Sequence, residues 1–225
     1  DDVWLSGGAD PFWPTTVILR DTQVADLAAE QFTVRWSVAR DVWATEASRP
    51  NRPRKSESGD SMTAQTDGDW MTDGGRAMRL EGGPMSDRFT VSHPDTTIEE
   101  PASGGIDTLV STVPIRLPDS VEHGILRGKG HRLDGTDGDD RLEADGQDLT
   151  LAGGAGDDLY VISPEAERVT IEIDDTSGHG RLRGMGPGHV LNLPGTDATR
   201  HMEEMNGGTL ITFELGGTLF VEGLA

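Results

Sequence analysis

Asp140 and Asp158 stand two nine-residue units apart, and each closes a glycine-rich stretch, Gly135-Thr136-Asp137-Gly138-Asp139-Asp140 and Gly153-Gly154-Ala155-Gly156-Asp157-Asp158. Glycine admits the positive φ angles of a tight turn, so such a stretch can aim backbone carbonyls at the same point as the closing carboxylate. An all-oxygen point of that kind suits a hard cation, Ca2+ rather than Zn2+ or Cu2+. If two nine-residue units complete one coil, turns that far apart stack directly. Asp140 and Asp158 then face each other across one gap and repel unless a cation lies between them.

Other chemistry finds only fragments. The chain has no cysteine, which excludes disulfides, a thiolate nucleophile, Cys-ligated zinc and iron–sulfur clusters. His93, His123, His131, His179, His189 and His201 form no pair at metal-binding spacing, and His201-Met202-Glu203-Glu204 lacks the second histidine of an H-E-x-x-H helix. Gly59-Asp60-Ser61-Met62 echoes the G-D-S-L block of SGNH hydrolases, yet it lies in a linker-like stretch and no D-x-x-H follows. Neither G-x-S-x-G nor a P-loop occurs. Paired carboxylates in acidic turns bind cations more readily than they hold the two different pKa values of acid–base work. The expectation is a protein that is not an enzyme.

The elements that must position these acids are repeats. Displacing the sequence until Leu80 meets Leu151 lays Leu80–Ser92 over Leu151–Ser163, with the Leu, both Gly, the Asp and the final Ser in register. Within the second copy, Gly135–Glu143 precedes Gly153–Val161, and a single nine-residue unit, 144–152, lies between them. Leu142, Leu151 and Tyr160 share the inward apolar slot of the three units. Leu149 stands where the flanking units carry Asp140 and Asp158, so the side of the coil it faces is expected to hold no strong site. Each unit therefore reads as a turn followed by a very short strand.

Composition agrees with a stacked-turn fold. Gly at 30 of 225 residues is about twice average usage, while 34% apolar and 5% aromatic content is thin for a conventional core. With 19 basic and 40 acidic side chains the net charge is −21, which repels nucleic-acid phosphates and anionic membrane surfaces and attracts cations. Residues 134–175 hold 14 acids and two bases, a net −12, and are expected to resist folding until cations arrive. No apolar run approaches the roughly 18 residues of a membrane span, so no membrane insertion is expected. The chain begins with Asp1 and reads as processed, trimmed or a fragment.

All five tryptophans (Trp4, Trp13, Trp36, Trp43 and Trp70) precede the repeats, while the only tyrosine, Tyr160, lies within them, so the two ends build different cores. Phe32, Val34, Trp36 and Val38 alternate as one strand face, with a helix as the rival reading for 21–31. Ser48 to Lys55, with four positive charges and two prolines, reads as an exposed linker and a protease site. Gly208 to Val221 reads as a hairpin turning at Gly216-Gly217 that caps the end of the stack and hides its sheet edges.

The nonapeptides resemble the G-G-x-G-x-D-x-U-x repeats of the RTX (repeats-in-toxin) family. Gly153–Val161 matches the pattern fully with Tyr160 as the large apolar residue, and Gly135–Glu143 departs only at Thr136. Gly82–Asp87 carries Met85 at a glycine position and reads as a coil without metal. The segments 89–100, 105–111 and 117–122 look like the β-helical spacers of large bacterial RTX proteins, and Asp1–Asp10 looks like the remnant of a further repeat.

The resemblance implies an all-β fold, a parallel β-roll or β-helix of degenerate nonapeptides with a Trp-rich N-terminal subdomain and a C-terminal capping hairpin. It implies Ca2+ held by the Asp140 and Asp158 carboxylates with carbonyls of Gly135, Asp137, Gly154 and Gly156 as neighbours. It also implies type I secretion and an extracellular or cell-surface location. The expected layout is a Trp-rich segment over 1–47, a linker or long loop over 48–68, and a degenerate repeat with spacer over 69–133. The calcium roll follows over 134–175, then a cap with secretion signal over 176–225. The Trp-rich segment is the expected face for a protein partner or self-assembly. Rival readings are an adhesin, layer or filament subunit, and the C-terminal module of a secreted hydrolase.

Overall fold

Apolar alternation that lasts only three or four residues at a time cannot build a wide sheet by hairpins alone, but it can build one by stacking coils. The computed structural model shows that solution. It describes residues 3–5, 17–19, 53–54, 61–64, 68–102, 105–173, 178–193 and 199–223, which belong to two compact units, Asp1–Arg49 and Pro50–Ala225.

In the first unit, β1 (Val3–Leu5) pairs antiparallel with β2 (Val17–Leu19), with Trp4 opposite Ile18. The expected strand over 32–38, its helical rival over 21–31, and Trp13, Trp36 and Trp43 lie outside the described residues.

The second unit is a parallel β-solenoid with no helix among the described residues. One wall is a large sheet. It begins with β3 (Pro53–Arg54) and continues through β5 (Trp70–Thr72), β7 (Arg88–Val91), β9 (Thr108–Ser111) and β11 (His123–Lys129). It then runs through β13 (Arg141–Gln147), β15 (Leu159–Ile162) and β17 (His179–Arg183).

The opposite wall is formed by two smaller sheets. β4 (Ser61–Thr63), β6 (Arg79–Glu81) and β8 (Thr97–Glu99) make one. β10 (Ile115–Arg116), β12 (Arg132–Asp134), β14 (Thr150–Ala152), β16 (Thr170–Glu172) and β18 (Val190–Asn192) make the other.

Trp70, Arg88, Thr108, His123, Arg141, Leu159 and Arg181 form one register row across the large sheet, and each interval between them is one coil. The coils are unequal: the shortest runs from Thr108 to His123 and the longest from Leu159 to Arg181. The coil of two nonapeptides predicted from the sequence is the coil observed twice between His123 and Leu159. The neighbouring coils keep the register and absorb their extra or missing residues in their turns.

The core lies between the walls. Met71, Phe89, Leu109, Leu142, Tyr160 and Leu182 form its inward row on the large sheet, facing Leu80, Leu133, Leu151 and Ile171 from the other side. Gly124 occupies the same row after the shortest coil, where a Cβ would lie 2.8 Å from Leu133 Cδ2. Its missing side chain is the space that Leu117 and Leu133 fill. The long repeat that matches Leu80 to Leu151 is also structural, since both face the core from the opposite wall while Asp87 and Asp158 both precede a strand of the large sheet. On the side of Leu149 the coil is apolar, with Leu149 wholly buried and Asp148 turned outward to Arg168 and Lys129.

The C-terminal hairpin forms as read, from β20 (Gly208–Phe213) and β21 (Thr218–Glu222), with Gly216 at φ +95° and its N–H donating to Phe213 O. A further strand, β19 (Thr199–Met205), pairs with β20 on the far side. β21 runs parallel to β17, and Ile211, Phe213, Leu219 and Val221 close the apolar end of the solenoid. The cap therefore plugs the core and covers the β17 edge of the large sheet. The large sheet is prolonged to β19, and the five-stranded sheet ends at β18.

Candidate functional site

The residue immediately before each large-sheet strand from β5 to β15 is an acid: Asp69, Asp87, Asp107, Glu122, Asp140 and Asp158. Because the strands pair in register, these six carboxylates stack in one column along the corner of the solenoid. The five aspartates are buried, from 0% exposed at Asp107 to 5% at Asp140. Neighbouring strands are about 4.8 Å apart, and at that spacing unit charges repel by about 3.5 kcal/mol for an effective dielectric of about 20. Such a column needs compensation.

Part of it comes from the backbone. Asp69 N–H donates to Asp87 Oδ1 at 2.6 Å, Asp87 N–H to Asp107 Oδ1 at 2.6 Å, Asp107 N–H to Glu122 Oε2 at 2.9 Å, and Asp140 N–H to Asp158 Oδ1 at 3.0 Å. Each of these carboxylates thus caps the rung before it. Amides of the same turn add to this. Gly83 N–H donates to Asp87 Oδ2 at 2.7 Å, and Thr136 donates to Asp140 Oδ2 through both N–H (2.6 Å) and Oγ1 (3.0 Å).

The residues singled out from the nonapeptides are brought together. The turns 135–140 and 153–158 stack: Gly135 lies against the carbonyl of Gly153, Gly154 against that of Thr136, and Gly156 against that of Gly138. Gly154 and Gly156 take φ of +94° and +108°, which only glycine adopts freely, so backbone can approach backbone. Asp140 and Asp158 are consecutive rungs, hydrogen-bonded through the Asp140 amide rather than separated by an open gap. Tyr160 hydroxyl donates to Asp158 Oδ2 at 3.4 Å and accepts the Gly153 N–H at 3.1 Å, which links the eighth position of the repeat to the sixth.

Gly135, Asp137 and Gly154 line an open groove of about 250 Å³ with Arg116, Asp134 and Thr136, while Gly156 lies beside Asp158 and Tyr160. Arg116 competes with any cation in that groove. Burial raises the carboxyl pKa of Asp140, with the charges of Glu122 and Asp139 adding to it. For Asp158, burial together with the charges of Asp140 and Asp139 outweighs the Asp140 amide and pushes the carboxyl up to about 7.

A second group joins Asp87, from the imperfect turn 82–87, to two acids outside the nonapeptides matched in the sequence. Carboxylate oxygens of Asp87, Glu100 and Asp107 all lie within 4.8 Å of one another. Glu100 is the register counterpart of Gly82, one coil later, and its carboxylate folds onto Gly82, where any Cβ would collide with it. Both oxygens of Glu100 and Oδ2 of Asp107 are buried without a hydrogen-bond partner. Burial, then the charges of Asp107, Asp87 and Glu122, push Glu100 up to about 8. The signal that finds this column is an acid directly before each short strand, which the search for glycine patterns does not use.

No protein-family model matches the chain, and no curated protein matches it at a significant level.

Proposed function

We propose that the Pro50–Ala225 unit is a calcium-binding structural module of the RTX type, and that Ca2+ neutralises the acidic column at its turns. The observation that carries this reading is the column itself, with five of its six carboxylates buried and stacked rung on rung. In the two nonapeptide turns 135–140 and 153–158, Asp140 and Asp158 would supply carboxylate oxygens, and Gly135, Asp137, Gly154 and Gly156 carbonyl oxygens. Calcium would act as a structural ion, and no catalytic step is assigned. Extracellular calcium modules bind at roughly 10⁻⁴ to 10⁻³ M, so a chain with this affinity would be loose inside a cell and ordered outside it, in keeping with secretion.

The test is a Ca2+ titration of the metal-free chain by far-UV circular dichroism and thermal melting, with Asp140→Asn/Asp158→Asn and Mg2+ as comparisons. A gain of β signal or melting temperature with Ca2+, smaller in the double variant and with Mg2+, is expected. A chain indifferent to calcium in both readouts overturns the reading.

A second reading, an assembly or surface subunit, is favoured by β19. It is the last strand of the large sheet and carries Met202 and Met205 about half exposed. Sedimentation velocity over a concentration series tests it, and a monomer at all concentrations removes it.

A further inference from the structure

The geometry points to a second calcium site at Asp87, Glu100 and Asp107, outside the nonapeptides 135–143 and 153–161. Asp107 is wholly buried, and its Oδ2 has no donor although its Oδ1 accepts the Asp87 amide. Both oxygens of Glu100 are in the same condition. A buried carboxylate oxygen without a donor costs more than one left in water, and here the two residues that carry such oxygens join Asp87 in a group with one ligand oxygen from each within 4.8 Å of the others. Gly82 is what admits Glu100, since a side chain there would occupy the place of its carboxylate.

The chemistry of the point selects the ion. Oxygens bound to one Ca2+ at about 2.3–2.6 Å lie at most about 5 Å apart, and the three carboxylates fall inside that limit. Mg2+ retains several waters and dehydrates reluctantly, which a site with buried oxygens disfavours. Zn2+ and Cu2+ favour nitrogen or sulfur ligands, and this group offers only oxygen. The ion would tie the turn after β6 to the turn after β8, the point where the three-stranded sheet ends and the opposite wall restarts at β10. The inference rests on the proposed function and deepens it, because Met85 breaks the glycine pattern of the first turn and Glu100 follows Gly82 one coil later in the second.

The experiment is equilibrium dialysis of the full chain against Ca2+ up to about 1 mM, the range of extracellular modules. It compares the unaltered protein with Glu100→Gln/Asp107→Asn and with Asp140→Asn/Asp158→Asn, with Mg2+ in a parallel arm. Melting in chelator confirms that each variant is folded. Replacing acid by amide keeps the shape and removes buried charge, so the triad variant is expected to melt no lower than the parent.

The expected result is that the triad variant loses one bound Ca2+ that the Asp140/Asp158 variant retains. The same stoichiometry and affinity in the triad variant overturns the site, whatever happens at Asp140 and Asp158. Loss confined to the Asp140/Asp158 variant overturns it while leaving the proposed function standing. Equal occupancy by Mg2+ overturns the choice of ion, and no Ca2+ bound by the parent overturns both proposals.

Discussion

The turns at 135–158 and those at 82–107 occupy equivalent corners of the same solenoid, yet they handle their acids differently. At 135–158 the glycines bring backbone against backbone, and Asp140 and Asp158 accept donors from Thr136, Tyr160 and the Asp140 amide. At 82–107 Glu100 follows Gly82 one coil later and folds its carboxylate onto it, and three carboxylate oxygens are left without donors. The glycine pattern therefore marks a turn that is comfortable as a protein structure. Among the described residues, the buried carboxylate oxygens left without donors lie where the pattern is broken.

Acidity gives the largest handle on that difference. Burial and neighbouring carboxylates push Glu100 up to about 8 and Asp158 up to about 7 in the fold, against unperturbed values of 4.5 and 3.8. Between those limits the metal-free fold holds protons that the unfolded chain has released. Its stability is therefore highest below pH 4 as far as these groups are concerned, and is lost as pH rises towards 8. The loss, discounted for the partial solvent screening of both groups, is on the order of 4 kcal/mol, read as a fall in urea midpoint from pH 5 to pH 8 in chelator. Glu100→Gln should flatten the upper part of this fall and Asp158→Asn the lower part. A flat profile in the parent would show that the buried acids carry no such penalty. With Ca2+ present the trend should reverse, because protons compete with the ion.

Backbone crowding separates the regions next. Gly154→Val places a β-branched residue at φ +94° against the Thr136 carbonyl and should cost about 3 kcal/mol or more. Gly82→Ala meets only the end of the Glu100 side chain and should cost clearly less in chelator. Equal urea midpoints for the two variants would erase the contrast between a backbone-built turn and a side-chain-built pocket. Calcium at about 100 times its dissociation constant should add about 2.7 kcal/mol per site, a rise of roughly 5–10 °C in melting temperature for a domain of this size. The smallest effect is at Thr136, where Thr136→Gly restores the full nonapeptide but removes the hydroxyl bond to Asp140, for a loss of about 1 kcal/mol in the metal-free chain. A gain instead would mean that the glycine pattern itself dominates.

The legible parts of the molecule are those with a fixed local period. The offset of two nonapeptides places Asp140 over Asp158, and Leu142 and Tyr160 face the core as their slot in the repeat requires. Gly216 turns the terminal hairpin where the glycine pair indicates. The rest depends on coils of other lengths. Asp87 meets Asp107 across a coil longer than two nonapeptides, and Asp107 meets Glu122 across a shorter one. No fixed spacing links these acids, and only the pairing of the strands that follow them brings them into one column. Glu100 is hidden for a further reason: it joins the group by folding onto Gly82, a contact between successive turns that neither residue announces alone. The docking of β21 on β17 has a similar origin, because the partner of β21 is set by the stack beneath it and not by the hairpin.

The coils between Trp70 and Arg181 vary in length by several residues while their strands remain in one register row. Length is accommodated at the corners and cohesion is supplied by the adjoining coil, so the molecule behaves as a linear array of nearly interchangeable units. A whole coil could be duplicated, deleted or grafted between β11 and β15 without redesigning the ends. Each added unit would bring its own acid to the column, so the buried charge would lengthen with the array.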